Sequence, residues 1–407
     1  MRTAKLKDIT LTITDGKHGD CKNHDGSGYY FISCKDVYDE TIHYENARQI
    51  AEDDFRDADR RTNLAAYDIL ITNSGTIGRM ALVKDIPETR KTTFQKSVAI
   101  VRADTSQVVP NYLYYLLKSK VHDFINSSNG SAQKNLLLST MRDFDISFVD
   151  SFETQHRIAS ILSRYDSLIE NYQKQIKLLE EAAQRLYKEW FVDLRFPGHE
   201  NTKIVDGVPE GWEKKKLCEL FSFVRGKSYT SKELSDEGTI MVNLKNIQSF
   251  GGYKSDVEKH FIGTFKEEQT LMKGDLIMGV TDMTQERRLV GSVALIPDFK
   301  ETATFSMDLI KLISFKLPNI YLYCAMRYGD VSRQIAPLAN GVNVLHLKPE
   351  AISNIEMVVA CDSIIEKFVS YTSKTIESIL TLQSQLRLLT EARDRLLPKL
   401  MSGEIEI

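Results

Sequence analysis

Cysteine, proline and long apolar runs are all scarce in this sequence, and each shortage excludes a class of protein. Its 407 residues include five cysteines and nine prolines. The cysteines are odd in number, widely spaced and without a Cys-x-x-Cys pair, a pattern typical of reduced thiols rather than of a disulfide framework. No run approaches the roughly 18 apolar residues of a membrane helix, and the first residues lead into no apolar secretion segment. We therefore expect a cytoplasmic protein without a membrane segment.

A dominant charge of one sign is also missing. The 53 basic residues face 56 acidic ones, which gives a formal net charge of −3. This balance does not by itself indicate a nucleic-acid partner. Phosphate binding depends on the local field, however, and a balanced chain can still carry a basic groove. Composition therefore leaves the partner open.

Catalytic and cofactor motifs are absent as well. Gly226-Lys227-Ser228 resembles the end of a phosphate-binding loop, but Phe221 stands where that loop requires its first glycine. No proline follows another, so the Pro-Pro segment of an amino-methyltransferase is missing. Cys21 and His24 form the closest metal-like pair, which is too few ligands for a zinc site. We predict no catalytic, metal-binding or cofactor-binding residue in this chain.

What the sequence does contain is an internal duplication. Ile158–Leu186 aligns without a gap to Phe368–Leu396 at a constant offset of 210 residues. Looser matches upstream keep the same order and pair residues 68–71 with 275–278, 77–83 with 290–296, 112–114 with 321–323, and 129–130 with 340–341. The repeat predicts two globular modules, each followed by a long helix.

Both long helices carry apolar residues at the alternating four- and three-residue spacing of a coiled-coil seam. The seam consists of Ile158, Leu162, Ile169, Ile176, Leu179 and Leu186 in the first helix and of Ile379, Leu382, Leu386, Leu389 and Leu396 in the second. Thr372, Thr375 and Arg393 interrupt the second seam. A helix of roughly 36 residues is about 54 Å long, which exceeds what the core of one module requires.

Local signals predict where these helices begin and end. Asp150 with Glu153, and Ser363 with Glu366, have the spacing of capping boxes. Pro197-Gly198 predicts the end of the first helix, and Pro398 predicts an end or a kink in the second. The resulting division is a first module at 1–150, a helix at 151–195, a second module at 196–361 and a helix at 362–407.

Each module is predicted to be α+β. Strand-like runs in the first module lie at 29–33, 68–72, 79–83 and 97–101, with a helix near 111–120. The second module has similar runs at 240–243, 275–279, 291–296 and 309–313, with a helix near 320–328. The predicted fold is thus two pseudo-symmetric modules of strands and helices with two long antiparallel coiled-coil helices.

Side chains that could bind a polyanion concentrate in the loops. Asn73–Arg79 joins two predicted strands, and its glycines would allow backbone amides to approach phosphates closely. Its counterpart, Thr281–Arg288, carries different side chains, as expected if the two loops recognise different nucleic-acid sequences. The candidates are Lys17, His18, Asn73, Ser74, Thr76, Arg79, Lys96 and Lys134 in the first module, and Arg225, Lys227, Lys245, Thr281, Thr284, Gln285, Arg287 and Arg288 in the second. For each, the alternative is an ordinary solvated side chain.

The most specific signals lie at the ends of the helices. Glu189–Val192 closes the first helix, Gly211-Trp212-Glu213 opens the second module, and Arg393–Ile405 lies near the end of the sequence. With these segments and its layout, the chain resembles the specificity (S) subunit of type I restriction-modification systems over essentially its whole length. Tyr187, Trp190 and Phe191 are then candidates for a docking surface, with internal packing an equal alternative for Trp190.

The resemblance implies a non-catalytic subunit of a phage-defence system. Each module would be a target-recognition domain for one half of a bipartite double-stranded DNA site, and the helices would set the spacer. It further implies two methyltransferase (M) subunits that methylate adenine N6 with S-adenosylmethionine, and restriction (R) subunits that use ATP and Mg. Two similar modules within one chain also suit half-sites roughly 34–36 Å apart.

Two other hypotheses stay open at this point. An enzyme acting on nucleic acid by itself would show cleavage or methyl transfer without partners, although the motifs for either reaction are missing. A coiled-coil scaffold with two protein-binding modules would show no DNA affinity at any salt concentration.

Overall fold

The computed structural model describes residues 1–128, 135–255 and 258–407, so Lys134 and the repeat segment 129–130 lie outside the described residues. The chain divides into two compact units. Unit 1 comprises Met1–Asp166 and Ala392–Ile407, and unit 2 comprises Ser167–Glu391. Each unit combines sheets with helices, which confirms the predicted α+β class.

Unit 1 is built around one antiparallel sheet. Its strands are β1 (Arg2–Lys5), β2 (Thr10–Asp15), β3 (Tyr30–Ile32), β4 (Val37–Tyr38), β5 (Thr41–Ile42), β6 (Ile69–Thr72), β7 (Met80–Leu82), β8 (Thr92–Phe94), β9 (Val98–Ala103) and β10 (Asp145–Phe148). Its helices are α1 (Glu52–Thr62), α2 (Pro110–Ser119), α3 (Val121–Asn126), α4 (Leu138–Arg142) and the first part of α5 (Phe152–Tyr187). The main sheet has the order β2-β9-β6-β7, while β3 and β8 form a separate parallel pair.

The central strand β6 shows how the sequence produces this sheet. All four of its residues are buried. Ile69 and Ile71 belong to the core that α2 covers, whereas Leu70 belongs to a second core. An extended chain points successive side chains to opposite faces, so a continuous apolar run is suited to a strand that is covered on both sides.

Unit 2 repeats this plan. Its strands are β11 (Ile204–Val205), β12 (Val208–Pro209), β13 (Glu213–Lys216), β14 (Phe221–Arg225), β15 (Leu234–Ser235), β16 (Thr239–Val242), β17 (Lys259–Phe261), β18 (Leu276–Gly279), β19 (Thr281–Asp282), β20 (Val293–Leu295), β21 (Ala303–Phe305), β22 (Leu309–Ser314), β23 (Leu345–His346) and β24 (Glu356–Val359). Its helices are the second part of α5, α6 (Leu217–Leu220), α7 (Asn319–Tyr328), α8 (Val331–Ile335) and most of α9 (Asp362–Ser402). The main sheet has the order β14-β22-β18-β20, and β16 pairs with β21 in parallel.

The two units therefore share one topology, which confirms the internal duplication. Strand β14 corresponds to β2, β18 to β6, β20 to β7 and β22 to β9, each in the same place in its sheet. The parallel pairs β3–β8 and β16–β21 also correspond, as do the antiparallel pairs β1–β10 and β13–β24. The sequence matches at 68–71 and 275–278 fall on β6 and β18, the central strands of the two sheets.

The long helices α5 and α9 pack against each other antiparallel within each unit. In unit 2, Tyr187 near the end of α5 contacts Phe368 near the start of α9, with ring centroids 5.9 Å apart. The unit 2 core also contains Ile169, Ile176, Leu179, Leu186, Ile379, Leu382, Leu386 and Leu389. In unit 1 the start of α5 and the end of α9 share a core through Ile158, Leu162, Leu396, Leu397 and Leu400.

Arg393, which interrupts the predicted seam, is compensated by carboxylates of unit 1. Its side chain is only 8% exposed, and its Nη1 lies 2.8 Å from both Asp166 Oδ1 and Glu40 Oε1. Burial opposes the charge of the guanidinium, but Glu40 and Asp166 hold the pKa of Arg393 above its ordinary value. A related pair in unit 2 joins α7 to α5, where Arg327 Nη1 donates to Glu180 Oε1 at 2.8 Å.

The predicted helix ends need correction. The backbone N–H of Thr154 donates to Ser151 Oγ at 3.3 Å, so Ser151 rather than Asp150 caps α5. Ser363 lies inside α9, which begins one residue earlier, and α9 continues through Pro398 to Ser402. Proline removes one backbone hydrogen bond, and here its neighbours Leu397 and Leu400 are buried in the unit 1 core.

The first long helix also ends before the predicted Pro197-Gly198. It stops at Tyr187 and is followed by a π-helical turn at Lys188–Val192. Trp190 is 6% exposed within the unit 2 core, and its ring lies 5.9 Å from that of Phe368. Internal packing is therefore the correct interpretation for Tyr187 and Trp190, because both are buried in unit 2.

Candidate nucleic-acid interface

The predicted loop of unit 1, Asn73–Arg79, connects β6 to β7 and has a well-defined backbone. Gly75 and Gly78 take the left-handed φ values of +78° and +88°. Thr72 Oγ1 donates to the carbonyl of Thr76 at 2.5 Å and accepts from the N–H of Arg79 at 2.9 Å. The turn therefore depends on glycine and on one buried hydroxyl, and it leaves Thr76 and Arg79 exposed.

Several other candidates of unit 1 meet this loop at the same end of the sheet. The N–H of Lys96 donates to the carbonyl of Lys17 at 3.2 Å, and the N–H of Asn73 donates to that of Ser97 at 3.0 Å. Arg79 Nη1 reaches the carbonyl of Cys34 at 3.4 Å. Backbone contacts thus bring residues together that are about 80 positions apart in the chain, and we call this region the unit 1 loop end.

The candidates of the unit 1 loop end are not equally available to a ligand. Lys17 Nζ lies 3.0 Å from Asp57 Oδ2, and this hydrogen bond raises the pKa of Lys17. His18 Nε2 lies 3.0 Å from Asp15 Oδ2. Asn73 is only 7% exposed. Thr76, Arg79 and Lys96 are exposed, Ser74 is half-buried, and neither Arg79 nor Lys96 has a carboxylate partner among the residues that the structure describes.

The counterpart loop of unit 2, Thr281–Arg288, is organised by Asp282. This side chain is 1% exposed, and its Oδ1 accepts hydrogen bonds from the N–H and the hydroxyl of Thr284 at 2.8 and 2.9 Å. Its Oδ2 accepts from the N–H of Leu289 at 2.8 Å. Thr281 is buried and bonded to His346 Nδ1 at 3.2 Å, so the structure makes it part of the support rather than of the exposed surface.

The basic residues of unit 2 also differ in availability. Arg225 Nη2 is paired with Glu350 Oε1 at 2.6 Å, and Arg288 Nε is paired with Glu286 Oε2 at 2.7 Å. Lys245 is exposed, and Arg287 is half-buried at a left-handed φ of +53°. Arg287 Nε is buried without a hydrogen-bond partner in the described part of the chain.

Lys17 and Lys227 occupy equivalent positions in the two units, a relationship that the sequence analysis missed. Each lysine follows a glycine after the first strand of the main sheet, and each N–H donates to the carbonyl of an equivalent residue, Phe94 at 2.7 Å or Phe305 at 2.8 Å. A Cβ on the glycine before Lys227 would lie 2.0 Å from the carbonyl oxygen of Ser306. The available signal was a repeated Gly-Lys pair at the same offset of 210 that relates the helices.

A cleft of about 670 Å³ opens beside the unit 2 loop. Four arginines line it, namely Arg287, Arg288, Arg327 and Arg333, together with Gln248, Gln285 and the single carboxylate Glu286. Arg333 was not a candidate from the sequence, because nothing there placed α8 beside the loop. An excess of guanidinium groups, some of them without carboxylate partners in the described part of the chain, suits a polyanion.

The loops therefore stand out by their donors rather than by metal ligands. Among the described residues, no three His, Cys, Asp or Glu side chains lie close enough together to hold a metal ion. Within the same ranges, no helix is long and apolar enough to cross a membrane. The fold and its loops define a class of internally duplicated, helix-paired proteins in which chemically different loops occupy equivalent positions in two similar units.

Comparison with known proteins identifies the family. The family model described as type I restriction modification DNA specificity domain matches residues 3–181. The type I restriction enzyme MjaIX specificity subunit of Methanocaldococcus jannaschii is 30% identical over 349 residues, which cover 83% of this chain and 78% of that protein. The putative MjaX specificity subunit of the same organism is 23% identical over 99% of this chain and 93% of that protein.

The chain therefore belongs to the type I restriction-modification specificity subunits. This membership confirms the sequence prediction that the chain is a non-catalytic DNA-recognition subunit rather than the enzyme itself. The crystal structure of the S subunit from M. genitalium shares the fold, with a TM-score of 0.58 at 16% identity over 98% of this chain and 96% of that one.

Proposed function

We propose that each unit of this chain binds one half of a bipartite double-stranded DNA site. The observation that carries the proposal is that two units of the same topology present chemically different loops at equivalent positions. Unit 1 presents Ser74, Thr76 and Arg79 after β6, whereas unit 2 presents Gln285 and an arginine-lined cleft after β18. Unlike side chains on like scaffolds are what two readers of different half-sites require, because base edges are distinguished by side-chain chemistry.

The long helices set the distance between the half-sites in this proposal. Residues 1–150 and 196–361 act as target-recognition domains, and the helical segments 151–195 and 362–407 act as the spacer. Helix α5 has 36 residues and α9 has 41, which correspond to about 54 and 62 Å. Both lengths exceed the roughly 34–36 Å of one turn of DNA.

The chain works as part of a larger assembly in the cytoplasm. Two methyltransferase subunits dock on it and methylate adenine N6 with S-adenosylmethionine, and restriction subunits that use ATP and Mg complete the complex. The chain itself carries no cofactor. Its family membership and its five free cysteines support this role and location.

Mapping methylated adenines across the genome, in cells with and without this gene, tests the proposal directly. We expect a single bipartite motif that disappears with the gene. Exchange of residues 1–150 for those of a relative should change one half of the motif and leave the other intact. If both halves change together, the assignment of one half-site to each unit is wrong.

Point variants then connect each half-site to named residues. Arg79→Ala and Lys96→Ala should weaken recognition of one half-site, and Arg287→Ala and Arg333→Ala should weaken recognition of the other. Removing one phosphate contact should reduce the slope of log affinity against log salt by about 0.9, and removing one base contact should relax one position of the motif. Lys374→Ala, at an exposed position of α9, is the matched control. Absence of DNA binding by the parent protein at low salt would favour a protein scaffold instead.

A further inference from the structure

Two apolar side chains at the tip of the unit 2 loops are unusually exposed. Val342 is 86% exposed and Met283 is 75% exposed, which makes them the two most exposed large apolar side chains among the described residues. Contiguous exposed apolar surface marks contact sites, whereas single exposed apolar side chains are ordinary. These two side chains lie on loops that pair with each other.

The loops that carry these side chains are hydrogen-bonded to each other. Strand β19 pairs antiparallel with β23, so that Thr281 lies opposite His346 and Asp282 opposite Leu345. Gln285 Nε2 donates to the carbonyl of Val342 at 2.8 Å, which continues the same register. Two backbone hydrogen bonds between Asn340 and His346, of 2.9 and 3.0 Å, close the second loop.

This pairing of the two loops leaves both Met283 and Val342 exposed. Met283 directly follows Asp282, whose carboxylate is buried and accepts three hydrogen bonds. Val342 directly follows Gly341, at φ +150°. A Cβ at Gly341 would lie 1.9 Å from the carbonyl oxygen of Val344. Both tips are therefore fixed by backbone and buried polar groups rather than by contacts of their own side chains.

The surroundings of the two tips indicate which molecule they contact. Gln285, whose amide is bonded to Val342, also lines the cleft with Arg287, Arg288 and Arg333. Guanidinium groups bind phosphates. For an apolar side chain on a loop beside such groups, the apolar feature of the base edges in the major groove is the C5-methyl group of thymine.

We infer that Met283 and Val342 read thymine methyl groups in the half-site bound by unit 2. This inference rests on the proposed function and specifies which chemical group that unit recognises. At the corresponding loop, Asn73–Arg79, the unit 1 loop end exposes the polar side chains of Thr76 and Arg79. The inference therefore concerns the unit 2 half-site alone.

Replacing thymidine with deoxyuridine tests the inference, because this change removes only the C5-methyl group and preserves base pairing. The full chain, in its assembly with methyltransferase subunits, is titrated with duplexes that carry the mapped site. Deoxyuridine is placed in one half-site at a time. We expect a loss of about fourfold in affinity for each buried methyl group in the unit 2 half-site and no loss in the other half-site.

The double variant Met283→Ser/Val342→Ser should bind thymidine and deoxyuridine duplexes with the same affinity, and each single variant should lose part of the preference. Met272→Ser is the matched control, because Met272 is 66% exposed but lies before β18, at the opposite end of that strand from the loop. This control should keep the full preference for thymidine.

The outcomes separate this inference from the proposed function. A parent assembly that does not bind the mapped duplex overturns the proposed function. Binding that is insensitive to deoxyuridine, or a unit 2 half-site without thymine on either strand, overturns the methyl-reading inference alone. The inference is also overturned if Met283→Ser and Val342→Ser lose the methyltransferase subunits but keep the preference for thymidine, because the tips would then be a protein contact.

Discussion

Truncation of Phe368 to alanine should destabilise unit 2 more than any exposed change on the same helix. The ring is 0% exposed at the start of α9. Its centroid lies 5.9 Å from that of Tyr187, the last residue of α5. It lies 5.9 Å from the ring of Trp190 and 5.0 Å from that of Phe191, both in the turn that follows α5. It also lies 6.3 Å from the ring of Tyr321 on α7. The side chain thus joins both long helices to the module.

The expected cost follows from this environment. Removing a fully buried phenylalanine side chain costs about 3–5 kcal/mol. Aromatic pairs add about 0.5–1.5 kcal/mol beyond the area that they bury, so Phe368→Ala belongs at the upper end, near 5 kcal/mol. With a urea dependence of about 3 kcal/mol per molar for a unit of this size, the midpoint should fall by about 1.5–2 M.

Tryptophan fluorescence during urea unfolding measures this change selectively. The chain has two tryptophans, Trp190 and Trp212, and both lie in the core of unit 2. Tyr371→Ala is the matched control, because Tyr371 is 65% exposed and its ring lies 5.8 Å from that of Trp190. We expect at most about 1 kcal/mol for this control. Midpoints rather than intensities are compared, since both variants alter the surroundings of Trp190.

A midpoint for Phe368→Ala no lower than that of Tyr371→Ala would refute the reasoning. It would mean that the aromatic cluster does not join α5 and α9 into one core within unit 2. The proposed spacer would then lose its physical basis, because two helices that do not share a core cannot hold a defined register.

Two further changes probe the buried contacts of each unit. Arg393→Met should destabilise unit 1 by about 3 kcal/mol, which is the lower end of the range for a broken buried ion pair. The lower end applies because Glu40 keeps its contact with Lys118. Hydrogen exchange of unit 1 amides measures this loss. Gly226→Ala should destabilise unit 2 by about 3 kcal/mol, because the new Cβ would lie 2.0 Å from the carbonyl oxygen of Ser306; tryptophan fluorescence in urea measures the shift.

Each of these changes has an exposed neighbour as its control. Lys399→Met lies on the same helix as Arg393, with its side chain half exposed at 50%, and Ser228→Ala lies two residues after Gly226 at an exposed position. Both controls should stay within about 0.5 kcal/mol of the parent. Equal losses in a variant and its control would show that the buried contact contributes nothing specific.

The repeat and the element types were predictable because they depend on local patterns. The apolar runs at 68–72 and 275–279 became β6 and β18, and the helices predicted near 111–120 and 320–328 became α2 and α7. Helix ends were predicted less well. The capping residue of α5 is one position later than expected, and α9 passes through Pro398, because tertiary packing there outweighs a lost backbone hydrogen bond.

The availability of the candidate side chains could not be predicted from the sequence. Lys17 and Arg225 are engaged by Asp57 and Glu350, which lie 40 and 125 positions away in the chain. Thr281 is a buried support for its loop, although its residue type alone suggested a phosphate contact. Conversely, Arg333 joins the cleft only because α8 packs beside the loop.

The sequence by itself determined the duplicated plan, the helical stripes and the family to which the chain belongs, because periodicity and internal repetition are properties of the chain that survive without coordinates. Only the tertiary structure decided which loop residues remain free, which are held by carboxylates and which project as apolar tips. The physical reason is that hydrogen bonds, ion pairs and burial join residues far apart in the chain, and such contacts exist only once the sheets have formed.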